Sequence, residues 1–90
     1  MIYPRVIIPE GPDDLDEALE LHDAFVRAAT MAALEAGGVI NDHHGVGMRL
    51  APYMGDQFGP AGMALMRAIK GALDPGHLLC RGKLGLAAAE

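Results

Sequence analysis

Two adjacent histidines, His43 and His44, are the residues of this chain best suited to chemistry. They lie in the loop 41–47, which follows the glycine pair Gly37–Gly38 and ends in Gly45–Val46–Gly47. Imidazole gives or takes a proton near neutral pH, and glycine lets a loop approach a ligand closely. We therefore predict an acid–base or charge-stabilising role for His44, with His43 as a second candidate. The alternative is a structural histidine bonded to a nearby carbonyl.

The spacing within this loop argues against a metal ion and against a dinucleotide. Zinc needs three or four converging ligands, and neighbouring side chains of an extended loop point in opposite directions. Even with Asp42 as a further ligand, His43 and His44 are predicted to form no metal site, and substrate contact is preferred for His43. Gly45–Val46–Gly47 lacks the third glycine of the dinucleotide fingerprint, because Leu50 stands at that position.

Three polar residues outside the loop are candidates for substrate contact or for packing. Arg49 is predicted to bind a substrate carboxylate or phosphate, which guanidinium geometry suits, with a solvated surface role as its alternative. Tyr53 follows a proline and is predicted to pack with a hydrogen-bonded hydroxyl. His22 lies among apolar residues at helical spacing and is predicted to be a partly buried structural histidine.

Composition and charge restrict the functions open to the chain. The chain has 90 residues and forms one small domain. Apolar residues make up 51% of the chain, but aromatic residues make up only 4% of it. We therefore expect the chain to complete its core against another surface. The net charge of -5 argues against a nucleic acid or an anionic membrane as partner. A single cysteine, no signal-peptide pattern and no long apolar run predict a cytoplasmic protein without a membrane span.

The hydrophobic pattern predicts two long helices. Apolar residues recur at helical spacing over about 14–36, with Asp13 or Asp14 as N-cap and Gly37–Gly38 as the end. The second helix is predicted at about 60–73, and its apolar positions surround so much of the helix that we expect burial on more than one side. The opposite side of the first helix carries charged residues: Asp16, Glu20, Asp23 and Arg27.

Two short strands complete the predicted fold. The β-branched run Val6–Ile8, together with residues 2–3, predicts a strand of about seven residues, and Val39–Ile40 predicts a second, shorter one. The segment 74–90 is predicted to be an extended apolar tail. The expected fold class is α+β, with a short strand, a long helix, a short strand and two further helices. These two are a short helical turn from Pro52 to Gln57 and the helix at about 60–73.

An ordered series of motifs covers about 19–83, most of the chain. It comprises an Ala-rich helix ending in Gly37–Gly38, the loop ending in His44–Gly45–Val46–Gly47, Pro52–Tyr53–Met54, Phe58–Gly59–Pro60, the helix 64–70 and Leu73–Asp74–Pro75. This series resembles the carboxyl-terminal end of the FAD-linked oxidases of the vanillyl-alcohol oxidase type. The glycolate-oxidase branch has Glu-His-Gly in the loop, and the alkyldihydroxyacetonephosphate synthase branch has three histidines before Gly-Val-Gly. This chain has two histidines there and is nearer to the synthase pattern.

The resemblance implies part of an FAD-dependent oxidoreductase acting on a small hydroxylated substrate such as a 2-hydroxy acid. It implies that His44 and Gly45–Val46–Gly47 lie at the flavin and that His43 and Arg49 contact the substrate. It also implies that FAD is held mainly by a domain outside this chain, so a flavin-binding domain or partner chain is expected, in a homo-oligomer or a complex. Two alternatives remain, namely an alkyldihydroxyacetonephosphate synthase-like flavoenzyme fragment and a non-catalytic helical interaction module.

Overall fold

A computed structural model describes residues 5–41 and 43–86. Within them the elements are helix α1 (Leu15–Glu35), a single 3₁₀ turn (Ala51–Tyr53) and helix α2 (Met54–Leu73). No strand occurs in this part of the chain. The predicted α+β class is therefore wrong, and the described fold is helical.

The two predicted strands do not form because neither finds a paired neighbour. Val6–Ile8 is exposed along its length, and no backbone–backbone hydrogen bond joins it to another described residue. At Val39–Ile40, the Ile40 amide donates instead to the side-chain oxygen of Gln57, at 2.7 Å. Strands are stabilised by ladders to other strands, so a β-branched run without one stays irregular. The beginning of the first predicted strand, residues 1–4, lies outside the described residues.

Helix α1 is closed at both ends by signals that the sequence carries locally. The Asp14 carboxylate accepts hydrogen bonds from the amides two and three residues further on, each at 3.0 Å, which makes it the N-cap. At the other end Gly37 has a φ of 82°, and the amides of Gly37 and Gly38 donate to α1 carbonyls at 3.0 and 2.7 Å. This is the Schellman arrangement, and it turns the chain sharply toward the histidine loop.

Helix α2 begins earlier than the predicted 60–73 and contains a break in its backbone. Gly59 has φ 67° and ψ 177°, a conformation that is essentially restricted to glycine. Pro60 follows at the first position of the longer segment, where its missing amide costs nothing. The sequence Gly59–Pro60 therefore divides α2 into a short first part and a long second part that ends at Leu73.

The core is small and is built around the loop and the beginning of α2. Its buried members are Ile40, Val46, Leu50, Tyr53, Met54 and Met63. The packing role predicted for Tyr53 is confirmed, since only 9% of this residue is exposed. Helix α1 contributes no buried residue and packs against this cluster only through partly buried side chains such as Val26.

Both helices leave most of their apolar faces uncovered. Phe25 of α1 is 42% exposed, and in α2 Leu73 is 81% exposed, so the expected burial of α2 on several sides is not found among the described residues. The chain exposes 7114 Å² in all, whereas a compact monomer of its 9.4 kDa mass exposes about 5,000 Å². The described residues therefore leave a large apolar surface uncovered.

The turn after α2 is held by a buried carboxylate. Asp74 accepts hydrogen bonds from the amides of Leu78 and Leu79, both at 3.0 Å, and pairs with the ammonium group of Lys70. Lys70 also donates to the Leu79 carbonyl at 2.7 Å. The hydrogen bond from Lys70 and those from the two amides lower the pKa of Asp74 from 3.8 to about 2. These contacts fix the first part of the predicted tail 74–90 against α2; residues 87–90 lie outside the described residues.

We expect Asp74→Asn to destabilise the chain at neutral pH and to lose this effect in acid. The folded-state pKa lies below the unfolded value of 3.8, so the stabilisation is complete above pH 3.8 and disappears as the pH falls through about 2. Urea unfolding of parent and variant between neutral pH and pH 2 measures the difference. Asp13→Asn, at an exposed position, is the matched control and should show no such dependence. A difference that stays constant down to pH 2 would contradict this role for Asp74.

Candidate functional site

The histidine loop is fixed to the rest of the chain at both of its ends. Before it, Ile40 is buried, and its amide donates to the side chain of Gln57 in α2 at 2.7 Å. After it, Val46 and Leu50 enter the core, and the Leu50 amide donates to the Val46 carbonyl at 3.1 Å. Three buried apolar residues and the hydrogen bond from Ile40 to Gln57 therefore hold the loop on the first part of α2.

The carboxyl-terminal tail closes over the other side of the same loop. The Leu84 amide donates to the Gly47 carbonyl at 2.9 Å. At Gly85, with φ 65°, a Cβ atom would lie 2.9 Å from the Ala51 carbonyl oxygen, so glycine is needed for this close approach. The loop thus lies between α2 and the tail, which makes its shape a property of the whole chain.

The rings of His43 and His44 lie side by side and are exposed. Their centroids are 4.0 Å apart, with an angle of 44° between the ring planes. The prediction that the two side chains point in opposite directions is therefore wrong. It assumed an extended loop, whereas both residues belong to a turn, where alternation does not apply. The two imidazoles together form one exposed surface that can give or take protons.

The glycines after the histidines have the conformations that only glycine adopts easily. Gly45 has φ 82° and Gly47 has φ 54°, and a Cβ atom at either position would meet nothing within 4 Å. The need for glycine here comes from the backbone and not from crowding. The open space leaves the loop backbone accessible at these two positions.

The described residues contain no group of three or more histidine, cysteine or acidic side chains able to hold a metal ion. His43 and His44 are together, but a structural zinc ion needs further ligands. Asp42, the additional ligand considered for this loop, lies outside the described residues.

Arg49 is placed in a separate cleft between α1 and the 3₁₀ turn. The cleft has a volume of about 390 Å³ and brings Arg49 together with Tyr53, His22 and Arg27. His43 and His44 do not line it. His22 is exposed and bonded to the Asp23 carboxylate at 2.9 Å, so its predicted partial burial is wrong.

Arg27 is the cleft residue that the sequence did not single out. It lies among the charged positions of α1, which are normally solvated. Asp23 and Arg27 are four residues apart and share one side of the helix, as do His22 and Val26. The spacing shows which residues of α1 lie together, but only the fold shows that Arg49 lines the same cleft.

Comparison with known proteins gives the class to which this fold and loop belong. The sequence model of the family "FAD linked oxidases, C-terminal domain" matches residues 5–84. The chain belongs to this family, which confirms the resemblance seen in the motif series.

The proteins similar to this chain are named as several different enzymes. The chain is 37% identical over 70 residues, 78% of its length, to the alkyldihydroxyacetonephosphate synthase of Caenorhabditis elegans. It is 38% identical over 69 residues, 77% of its length, to the glycolate oxidase subunit GlcD of Bacillus subtilis. It is 30% identical over 78 residues, 87% of its length, to a probable mitochondrial D-lactate dehydrogenase of Danio rerio. The chain spans 12%, 14% and 16% of the lengths of these three relatives, respectively. No solved structure matches the chain significantly.

The family implies FAD, and the described residues fit contact with only one part of that cofactor. The exposed imidazoles and the open backbone at Gly45 suit the polar edge of a ring system. A helix N-terminus suits a pyrophosphate where no negative charge is present, but α1 begins with Asp14, Asp16 and Glu17. The beginning of α2 continues directly from the 3₁₀ turn, with buried Tyr53 as its N-cap. None of the described helices is long and apolar enough to cross a membrane.

Proposed function

We propose that this chain supplies the substrate-facing end of an FAD-dependent oxidoreductase that oxidises a small hydroxylated molecule such as a 2-hydroxy acid. The observation that supports this most is the exposed His43–His44 pair, on a loop held between α2 and the tail, in a chain of the FAD-linked oxidase family. Relatives named D-lactate dehydrogenase and glycolate oxidase subunit favour hydroxy acids as the substrate class.

Each residue of the loop has a role in this proposal. FAD, when bound, would supply the acceptor for the hydride that leaves the carbon bearing the substrate hydroxyl. His44 takes the hydroxyl proton, and a positioned acid or base of this kind speeds a reaction by about 10²–10⁴-fold. His43, whose ring contacts that of His44, holds the substrate oxygen, and Arg49 binds its carboxylate. Gly45–Val46–Gly47 keeps the backbone open to the flavin.

The assembly and location belong to the same proposal. The uncovered apolar faces of α1 and α2 suit a flavin-binding domain or partner chain, in a complex or a homo-oligomer. The single cysteine fits a cytoplasmic protein.

Anaerobic reduction of the flavin tests the proposal directly. The flavoenzyme containing this chain is mixed with D-lactate, with glycolate and with the corresponding amides, and bleaching of the oxidised flavin is followed. We expect the hydroxy acids to reduce the flavin, and the uncharged amides to do so much more slowly. If none of these compounds bleaches the flavin, the proposed substrate class is wrong.

Two alternatives have observations in their favour. The His43–His44–Gly45–Val46–Gly47 sequence and the synthase of Caenorhabditis elegans favour an alkyldihydroxyacetonephosphate synthase-like flavoenzyme, which would act on a phosphorylated substrate. The uncovered helix faces favour a non-catalytic helical interaction module. The colour of the purified assembly separates the two, because the module would give a colourless complex and the synthase-like enzyme a yellow one.

We expect the chain by itself to bind FAD weakly or not at all. Helix α1 begins with acidic residues and α2 begins at a buried cap, so neither of these two helix beginnings suits the pyrophosphate. Titration of FAD with the purified chain, followed by flavin fluorescence, measures the affinity. A submicromolar dissociation constant would mean that the nucleotide site lies within the chain.

A further inference from the structure

The part of the tail that contacts the histidine loop is the segment 80–86, here called the strap. It is fixed to the rest of the chain on both sides. Before it, the Asp74 carboxylate accepts hydrogen bonds from the amides of Leu78 and Leu79, both at 3.0 Å. At its other end, Leu86 packs against the buried core. The strap therefore follows a defined path past the end of the loop.

One hydrogen bond joins the strap to the backbone of the loop. The Leu84 amide donates to the Gly47 carbonyl at 2.9 Å, the usual length of a well-formed bond. Gly47 comes three residues after His44, and Gly45 between them has a φ of 82°. Glycine backbones have many conformations open to them. A contact that fixes Gly47 therefore restricts the segment that carries His44.

The strap holds Leu84 in a conformation that leucine rarely adopts. Its φ is 58°, in the left-handed region where a Cβ atom crowds the neighbouring carbonyl. Such a conformation persists only where the surrounding contacts determine it. The contact made by the Leu84 amide is the hydrogen bond to Gly47. The junction of strap and loop is therefore selected by contacts across the fold and not by the local preference of the chain.

Gly85 lets the strap lie directly against the 3₁₀ turn that follows the loop. A Cβ atom at Gly85 would lie 2.9 Å from the Ala51 carbonyl oxygen and 3.8 Å from the Cβ atom of Met54. The Ala51 oxygen belongs to the backbone, and Met54 is only 2% exposed, so neither can yield as the end of a flexible side chain does. A side chain at this position pushes the strap away from the turn.

We propose that Gly85 and the Leu84 amide position His44, by fixing Gly47 and with it the direction in which the loop presents the imidazole. This inference rests on the proposed function, because it concerns the proton that His44 takes from the substrate. The strap acts through the loop backbone and takes no proton itself. A displacement of about 1 Å between reacting groups can cost about 10²-fold in rate, so a small movement of the strap has a large expected effect.

Nuclear magnetic resonance of the isotope-labelled chain tests the strap without any flavin. The matched variants are Gly85→Ala and Gly82→Ala. Both glycines have a positive φ, 65° and 72°, but a Cβ atom at Gly82 would meet only the end of the Met48 side chain, at 3.9 Å. We expect Gly85→Ala to speed hydrogen exchange of the Leu84 amide at least about 10-fold and to shift the His44 ring signals. Gly82→Ala should keep the slow exchange and the parental ring signals.

A change in the backbone alone tests the same hydrogen bond if Gly85→Ala unfolds the chain. The single cysteine, Cys80, begins the strap, so a synthetic peptide 80–90 can be ligated there to residues 1–79 to give the full chain. An ester in place of the Leu84 amide removes the N–H donor and keeps the side chain. The His44 ring signals should shift in this chain too. Unchanged ring signals in the ester chain would overturn the proposal.

The flavoenzyme shows whether the strap acts through His44. Gly85→Ala should slow flavin reduction by saturating D-lactate about 10²-fold, with KM and FAD content nearly unchanged. In the His44→Ala background the same change should have little further effect, because the group that it displaces is gone. Equal slowing with and without His44 contradicts the positioning role, as does a parental rate in Gly85→Ala. If no hydroxy acid reduces the flavin, the proposed function fails, and the exchange and ring signals of the chain still decide whether the strap fixes the loop.

Discussion

His44→Ala should slow the reduction of flavin by substrate about 10²–10⁴-fold and leave the FAD content of the enzyme nearly unchanged. The His44 ring is exposed beside that of His43, on a loop whose backbone is held by Val46 and Leu50. Val46 and Leu50 still hold the loop in this variant, so the expected loss is that of a proton acceptor. Anaerobic stopped-flow mixing of the flavoenzyme with D-lactate measures the rate, and the absorbance of released flavin measures the FAD content.

Three controls make this result specific to the imidazole of His44. Imidazole added to the buffer should restore part of the rate, because the exposed position leaves room for it. His43→Ala should have a smaller effect, although not a negligible one, since its ring lies 4.0 Å from that of His44. His77→Asn, at an exposed histidine whose φ of 49° asparagine tolerates, should have none. A parental rate in His44→Ala would show that the loop is structural.

The parts of the fold that the sequence predicted well are those decided within a few residues. Asp14 caps α1 with its own neighbouring amides, and Gly37 ends it by adopting a conformation open to few other residues. Gly59 and Pro60 break α2 for equally local reasons. Such signals act between residues that are close in sequence, so they can be recognised from the sequence alone.

The predicted strands required contacts that are distant in sequence. Val6–Ile8 has the composition of a strand, but composition selects a strand only where a second one pairs with it. The amide of Ile40 is bound by Gln57, a side chain 17 residues away. A pattern of apolar residues predicts which side chains will be buried, but it does not identify the surface that will cover them.

The candidate site shows the same division. The chemistry of the loop was visible because two imidazoles and their glycines are adjacent in sequence. The direction of the rings was predicted wrongly, since it depends on whether His43 and His44 lie in a turn or in an extended segment. Arg27 was not singled out because the cleft that it shares with Arg49 depends on where the fold places α1.

Leu50→Ala should destabilise the chain by about 2–5 kcal/mol, the usual cost of emptying a buried leucine site. Only 2% of Leu50 is exposed, and it is one of six buried apolar residues that make up the described core. A chain of this size has a total stability of only about 5–13 kcal/mol, so the loss is a large share of it. Urea unfolding followed by helical circular dichroism measures the change.

Leu73→Ala is the matched control, because the same side chain is 81% exposed at the end of α2. It should change the stability of the chain by less than about 0.5 kcal/mol. The comparison also tests how the histidine loop is held, since Leu50 anchors its end and its amide bonds to Val46. If Leu50→Ala and Leu73→Ala have equal effects, the described core does not carry the fold, and the loop must take its shape from the surface that covers the helices. If Leu50→Ala alone unfolds the chain, the loop is shaped by the chain itself, before any flavin-binding partner is present.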